Sequence, residues 1–239
     1  MKTNKMLAAA VAVLLSAGAF AQTTDEIIDK HVAALGGADK LKSVNTIVTE
    51  RSIAVQGMEI PSTTTVVVGK AMRQETSVMG NSMIVVVEGD KGWTIRPAMM
   101  QGTGEPEDLP AEQLKQQSGQ LDPFGSLMNY KAKGTKIELV GTEKADGKDV
   151  HHLKVTTKDG ITSDQYIDAS TYLMSKIKAT AAEGQETEIA LSDYKDVDGI
   201  KFAHTMEIAG GQMGTLTMTT NKIVVNGKVD EGIFKKPAK

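Results

Sequence analysis

The residues with most chemistry to offer are four histidines, His31, His151, His152 and His204, and none sits in a pattern that uses it. Imidazole titrates near neutrality and ligates metals, but a zinc hydrolase pairs two histidines on one helix face as H-E-x-x-H, and that motif is absent. His151 and His152 are adjacent in a stretch that reads as a strand, so they point to opposite faces and cannot easily share a metal. His31 lies on a helical apolar stripe and reads as a core-edge residue. His204 shares a strand face with Phe202, Met206 and Ile208 and reads as a buried imidazole with a fixed tautomer. Asp193, Asp196 and Asp198 before Gly199 resemble a calcium loop only briefly. With Gly199 at the sixth position, Tyr194 falls at the first and Thr205 at the twelfth, where carboxylates are required. A solvated turn fits them better.

The other chemical groupings are missing too. There is no cysteine, hence no thiolate nucleophile, cysteine metal site or disulfide. No G-x-S-x-G elbow, Ser/His/Asp grouping, phosphate loop or dinucleotide fingerprint occurs. Glu186 and Glu188 share a strand face but lack a cleft. Lys131, Lys133 and Lys136, with Lys235 and Lys236, read as solvated faces. The sequence therefore points to no catalytic residue, no metal and no cofactor.

What remains is apolar. The chain has 13 methionines and only 4% aromatic residues. Exposed rings for stacking on sugars are scarce, whereas flexible, polarizable thioethers suit irregular greasy ligands or fill gaps in a core. Removing the first 21 residues leaves 25 Lys+Arg against 30 Asp+Glu, a net charge of −5. That balance argues against nucleic acid and against docking on anionic lipid.

Those first residues have their own signature. Lys2 and Lys5 precede an apolar run, Met6 to Phe20, and Ala19-Phe20-Ala21 is an A-x-A cleavage site. The pattern is that of a secretory signal peptide over residues 1–21, cut after Ala21. Gln22 rather than Cys follows the cut, so no lipid anchor is expected. Residues 22–239 are then one exported domain, not anchored in a membrane.

The elements that must position any site follow from periodicity. Thr23-x-x-Glu26 is a capping box, and Ile28, His31, Val32 and Leu35 make one helical stripe stopped by Gly36-Gly37. A short helix spans Ala38 to Val44. Thereafter come strands rich in Val, Ile, Thr and Met: Ile47–Val55, Ser62–Val68, Met72–Val78, Ser82–Val87 and Trp93–Ile95. The stretch Gly102–Gly125 breaks the pattern with a helix beginning over Glu105–Pro110 and a loose apolar set. Further strands run from Lys136 to Val225, separated by turns such as Asp146-Gly147, Asp198-Gly199 and Asn226-Gly227. About a dozen hairpin-linked strands must curl or split. The expectation is an α+β fold: a large curved antiparallel sheet with helices covering its concave face. Ile28, Val32 and Leu35 should pack on the sheet with Asp29 and Lys30 exposed, and Trp93 should be at least partly buried.

Several stretches carry a resemblance. "EIIDKHVAALGGADKLKSV" (Glu26 to Val44), "EGDKGWTIRP" (Glu88 to Pro97), "YKAKGTKIELVG" (Tyr130 to Gly141), "YIDASTYLMSKIK" (Tyr166 to Lys178), "SDYKDVDGIKFAHTMEI" (Ser192 to Ile208) and "VDEGIF" (Val229 to Phe234) together resemble the outer-membrane lipoprotein-sorting proteins of the LolA-like superfamily. The resemblance implies an incomplete β-barrel whose helices close its mouth over an apolar cavity for acyl chains. It also implies a periplasmic, non-enzymatic carrier whose partners are a lipidated protein or lipid acyl chain, handed over by envelope transport partners. The alternative is a protein-interaction or envelope-sensor module on the same half-barrel. In the family an Arg-Pro pair at a strand start helps gate the cavity. Here that region is Gly69-Lys70-Ala71-Met72-Arg73, so Lys70 and Arg73 are the candidate gate residues. Ala203 stands where relatives favour Pro. The candidate cavity residues are Met72, Met83, Leu114, Leu121, Phe124, Met128, Met206 and Met218, with Met213 just before the last of these.

Overall fold

The computed structural model describes residues 22–55, 57–180, 186–209 and 214–237. The signal segment and Met213 lie outside the described residues. Helix α1 (Thr24–Leu35) starts as its capping box dictates: the Glu26 amide donates to Thr23 Oγ1 at 3.2 Å, and the Thr23 amide donates to the Glu26 carboxylate at 2.9 Å. Gly36 ends it at φ 135°, and helix α2 (Ala38–Lys42) follows. Ile28 is buried, Val32 and Leu35 are half-buried, and Asp29 and Lys30 are exposed, as the stripe requires.

Five strands then meander: β1 (Thr46–Val55), β2 (Met58–Val67), β3 (Ala71–Val78), β4 (Asn81–Glu88) and β5 (Lys91–Ile95). The two-residue β6 (Glu107–Asp108) pairs with β5, where the sequence suggested the opening of a helix. That helix, α3 (Ala111–Ser118), begins only after Pro110, whose ring fixes the backbone for a helix start but cannot sit deeper inside it. The second meander comprises β7 (Lys136–Ala145), β8 (Lys148–Thr156), β9 (Thr162–Asp168), β10 (Met174–Thr180), β11 (Glu186–Val197), β12 (Ile200–Ala209) and β13 (Leu216–Val225).

All thirteen strands form one antiparallel sheet in the order β6-β5-β4-β3-β2-β1-β13-β12-β11-β10-β9-β8-β7. It is open, with β6 and β7 as its edges. The single connection that is not a hairpin or short loop within a meander, residues 109–135, carries the chain from one edge to the other.

Three boundaries differ from the sequence reading. β2 begins at Met58 and contains Pro61, which lies beyond the last pair with β3, Ser62 with Thr76, where the strand has become an edge on that side. β11 runs on through Asp193 and Asp196, so only Asp198-Gly199 is the solvated turn. The last two candidate strands are one, β13, kinked by a bulge opposite Glu50 and Arg51.

Most of the core lies between the concave face and the helices. Ile27, Ile28 and Leu127 pack on Leu153, Val155 and Ile167. Leu41 and Met128 pack on Ile47 and Ile200. On the opposite face, Trp93 joins Val86, Ala71 and Phe234 of the C-terminal segment, and it is 7% exposed.

Candidate functional site

Strand alternation and register define the concave face. β1 contributes Ile47, Thr49, Arg51 and Ile53. Its partners on β2 are Val66, Thr64, Ser62 and Ile60. Met72, Gln74 and Thr76 follow from β3, and Val87, Val85 and Met83 from β4. On the other side Ile223, Thr220, Met218 and Leu216 come from β13 and Met206 and Ile208 from β12.

The face has two halves. At the end near Gly69 and Asn226 it is plugged. Met72, Val66 and Val87 are buried under Leu109, Leu114 and Leu121 of the edge-to-edge connection. The Gly69 amide donates to the Leu121 carbonyl at 2.9 Å, tying plug to turn. Gly92 has no Cβ because Leu109 Cδ1 would stand 2.7 Å from it. Toward the other end, Ile53, Ile60, Met83, Val85, Met206, Ile208, Leu216 and Met218 are each only half-buried. They form an apolar groove on the inside of the sheet.

The sequence-derived candidates therefore divide. Met72, Leu114 and Leu121 pack together in the plugged half. Phe124 and Met128 belong to the neighbouring cluster around Leu41 and Ile47, with the Phe124 and Phe202 rings 6.3 Å apart. Met206 and Met218 are direct cross-strand partners in the groove, and Met83 lines it from β4, opposite Thr76. Lys70 is exposed in the β2–β3 turn beside the Gly69–Leu121 tie. Arg73 faces the other side of the sheet, where its Nη2 meets Glu75 Oε2 at 2.5 Å.

One residue of the groove escaped the sequence reading. Arg51 projects from the middle of β1 into the concave face, between Ser62 and Thr220. Its Nε donates to Thr220 Oγ1 at 3.4 Å, and among the described residues no carboxylate lies within 4 Å of it. Burial pulls its pKa below the ordinary guanidinium value, though Arg stays charged. The floor around it is polar. Ser62 Oγ and Thr76 Oγ1 are 3.0 Å apart, and Gln74 Nε2 donates to Ser62 Oγ at 3.5 Å. The signal was present in Ile47-x-Thr49-x-Arg51-x-Ile53, a charge in the inward phase of an apolar strand.

The histidines have structural surroundings. His31 Nδ1 donates to the Tyr172 carbonyl at 2.7 Å, and His204 Nδ1 to the Phe202 carbonyl at 3.0 Å. His151 and His152 do face opposite sides, stacking on Tyr172 and Tyr166 respectively. A cleft of about 350 Å³ beside α1, lined by Asp25, Ile28, Leu127 and Tyr130, opens outward from the helix. No group of metal-ligating side chains occurs among the described residues.

A family model described as "-like: Uncharacterized protein" matches residues 73–238. No curated protein matches the chain. Among solved structures, a LolA superfamily protein from Nitrosomonas europaea superposes with a TM-score of 0.59 at 13% identity, covering 90% of this chain and 99% of that one. A DUF1329 family protein from Desulfovibrio piger gives 0.58 at 15% identity, covering 88% and 96%. A protein described as an outer membrane lipoprotein-sorting protein domain, from Vibrio parahaemolyticus, gives 0.56 at 16%, covering 88% and 95%. At these identities the likeness is one of fold.

Proposed function

The chain belongs to the family of uncharacterized proteins matched over residues 73–238 and has the fold of the LolA superfamily, and from that premise we propose that it is a periplasmic, non-enzymatic carrier of lipidated proteins or another acyl-chain ligand. The observation that carries this reading is the row of half-buried apolar side chains, Ile53, Ile60, Met83, Met206 and Met218, on the inside of an open sheet. Water is poorly accommodated along such a wall, and an acyl chain laid there removes apolar surface from it at about 0.8 kcal/mol per methylene. Ten buried methylenes contribute on the order of 8 kcal/mol before the cost of immobilising the chain.

In this reading residues 1–21 are a signal peptide removed after Ala21, and residues 22–239 are the exported domain. No described helix is long and apolar enough to cross a membrane. Met83, Met206 and Met218 face the ligand. Leu114, Leu121, Phe124 and Met128 belong to the plug that covers Met72, and its displacement at the Gly69–Leu121 tie beside Lys70 lengthens the groove for loading and release.

Titration of the purified protein with a fluorescent fatty-acyl probe tests this. Saturable binding is expected, weakened about tenfold or more in Met206→Asn/Met218→Asn with an unchanged circular dichroism spectrum. Absence of saturable binding by the folded protein removes the carrier reading. A second reading, a protein-interaction or sensor module, draws on the exposed methionines Met79, Met99 and Met100, which are 71%, 51% and 39% exposed. Met99 sits beside the β3–β4 hairpin, its sulfur 3.6 Å from Asn81 Nδ2, where it could meet another protein's apolar surface.

A further inference from the structure

We propose that Arg51 receives the carboxylate of the bound amphiphile, so that the groove takes a free fatty acid rather than a fully esterified lipid. This inference rests on the groove being a ligand site and goes on to name the ligand's head group. Among the described residues, Arg51 is the only Asp, Glu, Lys or Arg on the inner phase of β1, β2, β3, β4, β12 and β13. The acidic side chains of the same strands are on the outer phase, and two of them are engaged there: Glu50 meets Lys222, and Glu75 meets Arg73. Arg51 thus carries a net positive charge into a wall of hydroxyls and methyls, with one neutral contact, to Thr220.

A charge held in such surroundings is unfavourable until an opposite charge joins it. The guanidinium fork suits a carboxylate, which it can hold through two parallel N–H···O bonds. The hydroxyls of Ser62, Thr76 and Thr220 stand on the same floor and can serve a carboxylate oxygen. A phosphate monoester brings about −1.5 to −2 charge, more than this single cation offsets. The apolar side chains then fall where a tail must lie. Ile53, Ile60 and Met218 are on the unplugged side of Arg51, Met83 is level with it across β2 and β3, and Met206 and Ile208 lie across the next strand.

The test uses the purified protein, Arg51→Met and Arg51→Lys, each titrated with cis-parinaric acid, with its methyl ester and with lysophosphatidic acid as competitor. Wild type is expected to bind the acid at least tenfold more tightly than the ester. Arg51→Met should bring that ratio to about one while keeping ester affinity within threefold, and its ligand-free melting temperature should not fall. Arg51→Lys should keep part of the preference, and should Arg51→Met fail to fold, Arg51→Lys and the wild-type ratio still decide. Equal affinity of the wild type for acid and ester overturns the assignment of Arg51 and leaves the groove reading standing. A tenfold preference for the phosphate amphiphile also overturns it. No saturable binding of any probe by the folded wild type overturns both.

Discussion

The indole nitrogen of Trp93 donates a 2.8 Å hydrogen bond to the backbone carbonyl of Phe234, 141 residues away. The bond joins β5 to the C-terminal segment, and Phe234, Ile233 and Val229 cover the outer face of the sheet around it. Trp93→Ala should therefore cost about 3–5 kcal/mol in urea unfolding. Trp93→Phe, which loses chiefly the hydrogen bond, should cost about 1–2 kcal/mol. A loss below 1 kcal/mol for Trp93→Ala would show that the segment does not hold this face.

Gly36 and Gly199 form a backbone-to-backbone clamp. A Cβ on Gly36 would stand 2.5 Å from the Gly199 carbonyl oxygen, and Gly36 has φ 135°. Neither atom is a flexible side-chain tip, so relief requires α1 to move off the β11–β12 turn. Gly36→Ala should destabilise by about 2–4 kcal/mol. Gly147→Ala, also at positive φ but with open space around it, should cost only about 1 kcal/mol. Equal costs at the two positions would contradict the clamp.

Acid should weaken the fold through His31 and His151. Burial lowers the pKa of both, more than the Tyr172 carbonyl raises that of His31, and Lys30 adds to the lowering at His151. A histidine depressed in the folded state contributes full stability above its unfolded pKa, about 6.5. That contribution is lost as pH falls from there toward the folded value, because the unfolded chain binds the proton first. Melting temperature should drop between pH 7 and pH 5. Asn at position 31 places an amide nitrogen near the imidazole Nδ1, so His31→Asn should flatten this slope. An unchanged slope in that variant would remove His31 from the account.

Asp168 works in the opposite part of the scale. Burial pushes its carboxyl up, but the Ser170 hydroxyl and the amides of Thr171 and Ser170 outweigh it, leaving a pKa of about 2. Its Oδ1 accepts all three, at 2.6, 2.8 and 2.9 Å. The folded pKa is depressed, so its stabilisation is present above about pH 4 and is lost as pH falls toward 2. Asp168→Asn should cost about 1–2 kcal/mol at pH 7. The gap from wild type should narrow between pH 4 and pH 2; a gap independent of pH would mean that the charge contributes nothing.

The architecture was legible because its signals are local. The Thr23–Glu26 cap, the turn dipeptides and the period-two strands each act over a few residues, and the stretch Gly102–Gly125 stood out as the one break in the meander. Strand ends were less legible where tertiary context overrides propensity: Pro61 is tolerated because the pairing of β2 with β3 ends at Ser62, and Glu107–Asp108 forms a strand only because β5 offers an edge. The groove was half legible. Met206 and Met218 could be named as apolar strand residues, but which methionines the plug would cover depends on where residues 109–135 cross the sheet. Arg51 was missed because an inward charge is visible only once the inner face has been assigned.

The two arms of the sheet meet only through β1 and β13, whose partners Arg51 and Thr220 are 169 residues apart. Hairpins on either side can form early, each closing a loop of a few residues, but this seam cannot zip until nearly the whole chain is available. Until then the facing edges of β1 and β13 stay unpaired and prone to bind other strands. The seam should therefore set the refolding rate, and substitutions at Ile53 and Met218 should slow folding more than they speed unfolding.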